Sequence, residues 1–246
     1  MRVYQRGIIV FIVLILLWAL IVRVGHVPTY LVVSPSQVAL SLWHNGPLLL
    51  SEAKVTILES IVGLCLAVFW GAMLALFMSL FKVIRWWALP ILIVSQAIPT
   101  FAIAPLFVVW FGYGMSSKVA VTLFTLFFPI TIALFDGLRR TPEGYLDLAK
   151  VMGKSRFRRL WFIKLPAALP AFASGIRMAT AWAPMAAVVG EWVGASHGLG
   201  FLMLLANARL NIALLFAALS VLVVYSLTSY FLVDRGLKRW LFWEGK

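Results

Sequence analysis

Long stretches without a charged residue dominate this chain. Four of them occupy residues 7–22, 60–81, 86–117 and 210–233. A helix needs roughly 17–25 apolar residues to cross the hydrocarbon core of a bilayer, and none of these stretches alternates polar and apolar positions as a membrane β-strand does. Together with two weaker stretches, they predict an all-α polytopic membrane protein with six transmembrane helices, at about 7–22, 57–81, 88–112, 118–137, 167–193 and 210–233.

Composition indicates one membrane domain. Only 12% of the 246 residues are charged and the mean hydropathy is +1.02, whereas charged residues make up about 25% of an average soluble domain. The sequence has no internal repeat and no low-complexity linker, so we expect a single transmembrane domain over residues 1–246. The one cysteine, Cys65, lies within a predicted span, which excludes a disulfide framework within the chain.

The distribution of positive charge predicts the orientation of the chain. The net charge is +13, a value that could suggest nucleic acid as a partner. With the N-terminus inside, however, 16 of the 21 Lys and Arg residues fall in inside segments and four in outside segments. Because an excess of Lys and Arg marks cytoplasmic loops, we expect both termini in the cytoplasm, a lipid bilayer around the chain, and no nucleic-acid partner.

Three sets of residues fail as catalytic or metal sites. Gly153–Ser155 matches the tail of a phosphate-binding loop, but that loop also needs a glycine where this chain has Leu148. Ser196 and His197 are adjacent in sequence, whereas a nucleophile and its base must meet across a fold. The three histidines have no helical spacing and no carboxylate partner. We therefore expect no catalytic residue, no metal site and no cofactor on this chain.

A basic loop over residues 138–165 separates the fourth and fifth predicted spans. Residues 147–166, DLAKVMGKSRFRRLWFIKLP, carry six of the 21 Lys and Arg residues. Apolar residues recur at helical spacing before Gly153 and again after it, which predicts two short helices that break at this glycine. Such an amphipathic elbow is either a patch on the membrane surface or a docking surface for a partner, and composition alone favours lipid contact.

The spacing within this loop resembles the coupling loop of permease subunits of ATP-binding-cassette (ABC) importers. That motif consists of an acidic residue, two alanines, three residues, a glycine, nine residues, an isoleucine, one residue, and Leu-Pro. The matching positions in this chain are Asp147, Leu148, Ala149, Gly153, Ile163, Leu165 and Pro166. Asp replaces Glu and Leu replaces the first alanine, and both departures keep the sign of the charge and the helical propensity.

The resemblance extends over nearly the whole chain. QAIPTFAIAPLFVVWFGYG and GEWVGASHGLGFLMLLANARL look like the nitrate, sulfonate, taurine and thiamine-precursor branch of these permeases, and WAPMAAVVGEW leans toward the hydroxymethylpyrimidine importers. The resemblance implies a type I ABC importer permease core in a bacterial inner membrane. The substrate would be hydroxymethylpyrimidine or a sulfonate- or nitrate-type anion.

The same resemblance implies partners. It implies a homodimer of this chain, two copies of a separate ATPase subunit that hold ATP and Mg²⁺, and a periplasmic or lipid-anchored substrate-binding protein. In the family, the loop sits in a groove of the ATPase, and the basic rim of this loop would complement an acidic partner surface. The alternative is a stand-alone secondary transporter or channel whose loop binds anionic lipid, but the sequence lacks the paired inverted repeats and midplane charges of secondary transporters.

Polar and small residues in the third and fifth predicted spans are candidates for lining a transport path. At 100° per residue, five residues of the fifth span stay within about 40° of one face of the helix. Ionisable residues inside a membrane are functional candidates. Those near the ends of a span can instead extend their charged group to the membrane interface. The remaining residues can instead have an ordinary packing role. The candidates are Gln96, Thr100, Arg177, Ala181, Pro184, Val188 and Glu191.

Overall fold

The structure is a computed structural model that describes residues 3–25 and 28–241, and all regular structure within them is helical. This confirms the all-α prediction. In chain order the helices are α1 (Val3–Val24), α2 (Pro35–His44), α3 (Gly46–Leu80), α4 (Lys82–Ala97), α5 (Thr100–Phe111), α6 (Met115–Arg139), α7 (Glu143–Val151), α8 (Arg156–Arg159), α9 (Leu165–Gly194), α10 (Leu199–Ala208) and α11 (Ile212–Trp240). A π-helical turn at Leu160–Lys164 joins α8 to α9.

The predicted spans lie on helices, but the structure divides one of them. Within the described residues, α3, α6 and α11 are each long and apolar enough to cross a membrane, and the number rises to five if each of two bent helix pairs counts as one span. The stretch Ile12–Val24 of α1 is apolar as well. The structure therefore matches the predicted count of six only in part.

The break in the third predicted span has a local cause. The helices α4 and α5 meet at an angle of 104°, so that residues 88–112 do not form one straight helix. Proline disfavours the helical conformation of the residue before it. Ile98, which precedes Pro99, is accordingly extended, with φ of −84° and ψ of 117°.

Contacts between residues divide the chain into two compact units. The large unit contains residues 56–195 and 224–246, and the small unit contains residues 1–55 and 196–223. In the small unit, Ser34 begins α2 with a capping box whose second member is Gln37. The Oε1 of Glu52 lies 3.4 Å from the Nδ1 of His197, so the expectation that the histidines have no carboxylate partner is wrong for His197. The carboxylate of Glu52 also accepts a hydrogen bond from the backbone N–H of Gly198 over 2.5 Å, at the start of α10. The dipole of a helix favours negative charge at this end.

The packing of α6 against α9 forms the centre of the large unit. A Cβ added to Gly175 would lie 2.5 Å from the Cβ of Ala133, and one added to Gly137 would lie 2.9 Å from the Cβ of Ala171. Small residues allow this close approach of helices in membranes, where van der Waals packing stabilises helix contacts. One buried cluster combines Leu126 and Ile130 of α6 and Ala179 and Ala183 of α9 with Ala67 of α3.

A second buried cluster in the large unit includes part of the basic loop. Met78 near the end of α3, Leu92 in α4 and Leu138 near the end of α6 are all buried in it. Leu160, the first residue of the π-helical turn, belongs to the same cluster and is 2% exposed. The loop is therefore packed against the helices of the large unit on one side.

Candidate coupling surface and transport path

The first half of the basic loop is a capped helix. The helix α7 ends in a Schellman motif, in which the N–H of Lys154 donates to the carbonyl of Ala149 and the N–H of Gly153 donates to that of Lys150, both over 2.9 Å. Gly153 has a φ of +69°, a left-handed conformation that costs a residue with a side chain roughly 1–2 kcal/mol. The predicted break at Gly153 is thus confirmed.

The second half of the loop continues into α9. The Oγ of Ser155 accepts a hydrogen bond from the N–H of Arg158 over 3.3 Å and so caps the start of α8. The backbone then stays helical from Arg156 to Gly194, through the π-helical turn. The helix α8 and the helix α9 are therefore parts of one continuous helical stretch.

One side of the loop is anchored and the other is exposed. Ala149 and Leu160 are 3% and 2% exposed and hold the loop to the large unit. Six apolar side chains on the loop are between 59% and 87% exposed, and one of them is Phe162 in the π-helical turn. The other five lie on α7, directly after it or on α8; we call them the elbow face, and they are Tyr145, Leu148, Val151, Met152 and Phe157. Large exposed apolar patches mark contacts with a partner protein or a membrane, so these five side chains are candidates for such a contact.

The predicted motif residues divide between interior and surface. Asp147 is exposed, and its Oδ1 pairs with the Nζ of Lys150 at 2.6 Å. An exposed pair of this kind contributes only about 0–1 kcal/mol, so that a partner could compete for either side chain. Ala149 is buried, whereas the residues around the start of α9 are half-buried or exposed, namely Ile163, Leu165 and Pro166.

The predicted stripe on α9 faces largely into the large unit. Pro184 and Val188 are buried, and Glu191 is 1% exposed. The Oε1 of Glu191 accepts a hydrogen bond from the Oγ1 of Thr56 over 2.6 Å. These residues therefore contact other parts of the same chain, and their role in a path stays a prediction.

The two remaining residues of the stripe contact α11. The Nε of Arg177 lies 3.0 Å from the Oδ1 of Asp234, and the two side chains are 16% and 14% exposed. The backbone carbonyl of Ala181 accepts a hydrogen bond from the Oγ of Ser226 over 2.8 Å. Asp234 could not be recognised from the sequence, because it only marks the end of a charge-free stretch and its partner is distant in sequence.

Another face of α9 carries large exposed side chains. Their exposed fractions range from 42% to 67%, and they are Met178, Trp182, Met185 and Trp192. We call this set the open face of α9. Gln96 is exposed and Thr100 half-buried, one on each side of the break between α4 and α5. A second copy or a transported solute can contact such exposed surfaces more readily than the buried stripe.

A buried polar cluster in the large unit was missed by the sequence analysis. Lys118 is 1% exposed, and its Nζ donates to the backbone carbonyls of Tyr113 and Gly194, each over 2.6 Å. Glu59, which is 4% exposed, lies close enough to Glu191 for the two carboxyl groups to interact. The amine of Lys118 lies close enough to both carboxyls for electrostatic attraction. Buried charges in proteins are paired in this way because an isolated charge is costly to bury.

The sequence offered only a weak indication of this cluster. Glu59 and Lys118 both lie at the ends of charge-free stretches, where a charged residue normally marks a loop. Gly190 provides the space for the cluster, since a Cβ added there would lie 3.1 Å from the Cα of Lys118. In the described part of the chain, no group of three or more His, Cys, Asp or Glu side chains could hold a metal ion.

Comparisons with known proteins agree with the motif in the loop. The family model for the binding-protein-dependent transport system inner membrane component matches residues 67–240. A probable ABC transporter permease protein of Haemophilus influenzae is 49% identical over 229 residues, which cover 93% of this chain and 94% of that protein. The formylaminopyrimidine transport permease protein ThiX of Halalkalibacterium halodurans is 37% identical over 192 residues, which cover 78% and 76%.

The fold agrees as well. The solved structure of the inward-facing MetNI methionine ABC transporter matches with a TM-score of 0.60 over 83% of this chain and 96% of that chain, at 17% identity. This likeness concerns the fold alone, and it confirms the predicted permease core. The family match sets aside the stand-alone secondary transporter or channel. The chain therefore belongs to the family of binding-protein-dependent transport system inner membrane components, the membrane-embedded permeases of ABC transporters.

Proposed function

We propose that two copies of this chain form the path of an importer for a pyrimidine of the thiamine-precursor type. The identity of 37% to a permease named for formylaminopyrimidine transport supports this substrate class. Hydrolysis of ATP, with its Mg²⁺, takes place on two copies of a separate ATPase subunit. A periplasmic or lipid-anchored binding protein delivers the substrate on the other side of the inner membrane.

The proposed interaction with the ATPase rests on the elbow face. Its most exposed member, Val151, is 87% exposed on a helix that Ala149 anchors by burial. A rigid, capped helix with an exposed apolar surface suits a helix-in-groove contact with a partner protein. Basic residues around it favour an acidic partner surface. This arrangement fits a cytoplasmic loop, which agrees with cytoplasmic N- and C-termini.

The open face of α9 favours an uncharged heterocycle over an inorganic anion. Its exposed side chains are two tryptophans and two methionines, which bind flat rings by stacking and by sulfur–aromatic contacts. Arg177 is the one cation within the fifth predicted span, and it forms a salt bridge with Asp234. A nitrate or sulfonate would therefore meet no unpaired cation on this face.

The substrate class is tested by reconstitution with the ATPase and the binding protein. We expect a binding protein loaded with hydroxymethylpyrimidine or formylaminopyrimidine to stimulate ATP hydrolysis, and the radiolabelled pyrimidine to enter the vesicles. A binding protein loaded with taurine or nitrate serves as the control. Stimulation by the anion but not by the pyrimidine would reject the proposed substrate.

The dimer and the docking surface are tested by cross-linking in the Cys65→Ala background. A cysteine at Val151 should cross-link to a cysteine in the groove of the ATPase, whereas one at Ala149, which is 3% exposed, should not. A cysteine at Met185 should cross-link to its counterpart in the second copy. A complex with one permease chain, or equal cross-linking at positions 149 and 151, would contradict the proposal.

A further inference from the structure

More than half of the residues that line one pocket in the large unit are cationic. It lies between the turn that joins α3 to α4 and the basic loop, and has a volume of about 460 Å³. Met78, Ser79 and Leu80 form one wall. Leu146, Leu160 and six basic side chains line the rest, the basic ones being Lys82, Arg85, Lys150, Arg156, Arg159 and Lys164. No carboxylate among the described side chains lines this pocket. We call this the cationic pocket.

The positive charge of the cationic pocket is poorly compensated. Among the residues that the structure describes, only Lys150 of these six is paired with a carboxylate, that of Asp147. The Nε of Arg159 is buried and has no hydrogen-bond partner within the described chain. Like charges repel, and a buried donor without a partner destabilises the folded protein. An anion in the pocket would offset both costs.

The pKa of Lys164 reflects the same excess of positive charge. Lys164 lies in the basic loop, before the fifth predicted span. Burial lowers the pKa of its amine, and the guanidinium groups of Arg159 and Arg85 lower it further. A bound anion would act in the opposite direction, because it favours the charged form of each amine around it.

A second cavity continues the cationic pocket toward apolar residues. It has a volume of about 370 Å³ and shares Leu80, Lys82 and Arg156 with the first. Its other lining residues are apolar, namely Phe81, Val83 and Ile84. The two cavities together offer a cationic end and an apolar end, which fits a molecule with an anionic head and a hydrocarbon chain.

The neighbouring residues place the two cavities at the edge of the membrane. Trp86 and Trp87, in the first turns of α4, are 76% and 65% exposed. Tryptophans are enriched at the level of lipid head groups, and basic pockets between membrane helices on the cytoplasmic side bind the head groups of anionic lipids. We propose that the cationic pocket binds the phosphate group of an anionic phospholipid, with an acyl chain along the adjoining apolar cavity.

Native mass spectrometry of the purified full-length permease tests this proposal. The protein is exchanged into detergent with equal amounts of phosphatidylglycerol, cardiolipin and phosphatidylcholine. The test variant is Lys82→Gln/Arg156→Gln, because both side chains are exposed and line both cavities. The control, Arg140→Gln/Arg235→Gln, removes the same charge from exposed positions outside the pocket. We expect the anionic lipid bound per chain to fall about tenfold in the test variant only.

Two further measurements complete the test. Lys164→Arg keeps the charge of the pocket and should retain anionic lipid, whereas Lys164→Gln should lose part of it. Isothermal titration with inorganic phosphate distinguishes a lipid site from a site for a soluble anion, and we expect no phosphate binding below millimolar concentration. The proposal would be overturned if the test and control variants lost lipid equally, or if the protein retained phosphatidylcholine as well as the anionic lipids. Micromolar binding of inorganic phosphate would overturn it too.

Discussion

Lys118, near the start of α6, donates a hydrogen bond through Nζ to the backbone carbonyl of Gly194, the last residue of α9, over 2.6 Å. This contact places a cation at the C-terminal end of α9, where the helix dipole is negative. The same amine binds the carbonyl of Tyr113 and lies near Glu59 and Glu191. One side chain thus ties the two central helices of the large unit together at this end.

Replacement of Lys118 by methionine should strongly destabilise the protein. The variant leaves two backbone carbonyls without their donor and removes the cation next to two buried carboxyls. Loss of one partner from a buried charged group costs about 3–5 kcal/mol. The thermal unfolding of the purified permease in detergent measures this effect, with Lys54→Met as a control, since Lys54 is exposed on α3. Equal melting temperatures for the two variants would show that the cluster contributes nothing.

The close contact between α6 and α9 predicts a sharp difference between two glycines. Gly175→Ala would bring a Cβ to 2.5 Å from the Cβ of Ala133, whereas Gly236→Ala would meet no atom within 4 Å. Overpacking typically costs about 1–3 kcal/mol, and alanine is favoured over glycine in an open helical position. We expect a lower melting temperature for Gly175→Ala and an unchanged or higher one for Gly236→Ala. The reverse order would contradict the packing described for these helices.

Single cysteines on α9 can show which of its faces lines the path. Met185 is 67% exposed on the open face, and Val188 is 5% exposed on the predicted stripe. In the Cys65→Ala background, a water-soluble thiol reagent should modify a cysteine at 185 about tenfold faster than one at 188, at a rate that changes when ATP is trapped on the ATPase. Faster modification at 188 would favour the stripe. Slow modification at both positions would reject the open face as a lining.

The basic loop could be predicted in detail from the sequence. Its apolar spacing and Gly153 indicated two short helices, because helix periodicity and left-handed glycine are local properties. Ala149 is buried and Val151 is exposed. The helical repeat explains this difference, because one face of α7 packs against the protein and the opposite face does not. The partner that the loop contacts could be inferred only from the resemblance of this chain to a family of proteins that work with an ATPase.

The inner surface of α9 could not be predicted in the same way. A helical wheel places Arg177 and Glu191 on one face, but it does not reveal that Asp234 and Thr56 lie opposite them. These partners are separated by more than 50 residues in sequence, so only tertiary packing brings them together. Similarly, Lys118 has the sequence context of a loop residue, and its burial depends on the space next to Gly190.

Coupling through the basic loop depends most directly on Gly153. Its φ of +69° is closed to proline, and its N–H donates to the carbonyl of Lys150, so that Gly153→Pro must disrupt the end of α7. Gly144→Ala, in the same loop, meets no atom within 4 Å and is the matched control.

The decisive measurement is ATP hydrolysis by the reconstituted complex, with and without the loaded binding protein, together with the amount of each variant in the membrane. We predict that Gly153→Pro inserts normally but loses the stimulation by the binding protein, while Gly144→Ala retains it. Full stimulation in Gly153→Pro would contradict the claim that this loop couples the permease to its ATPase.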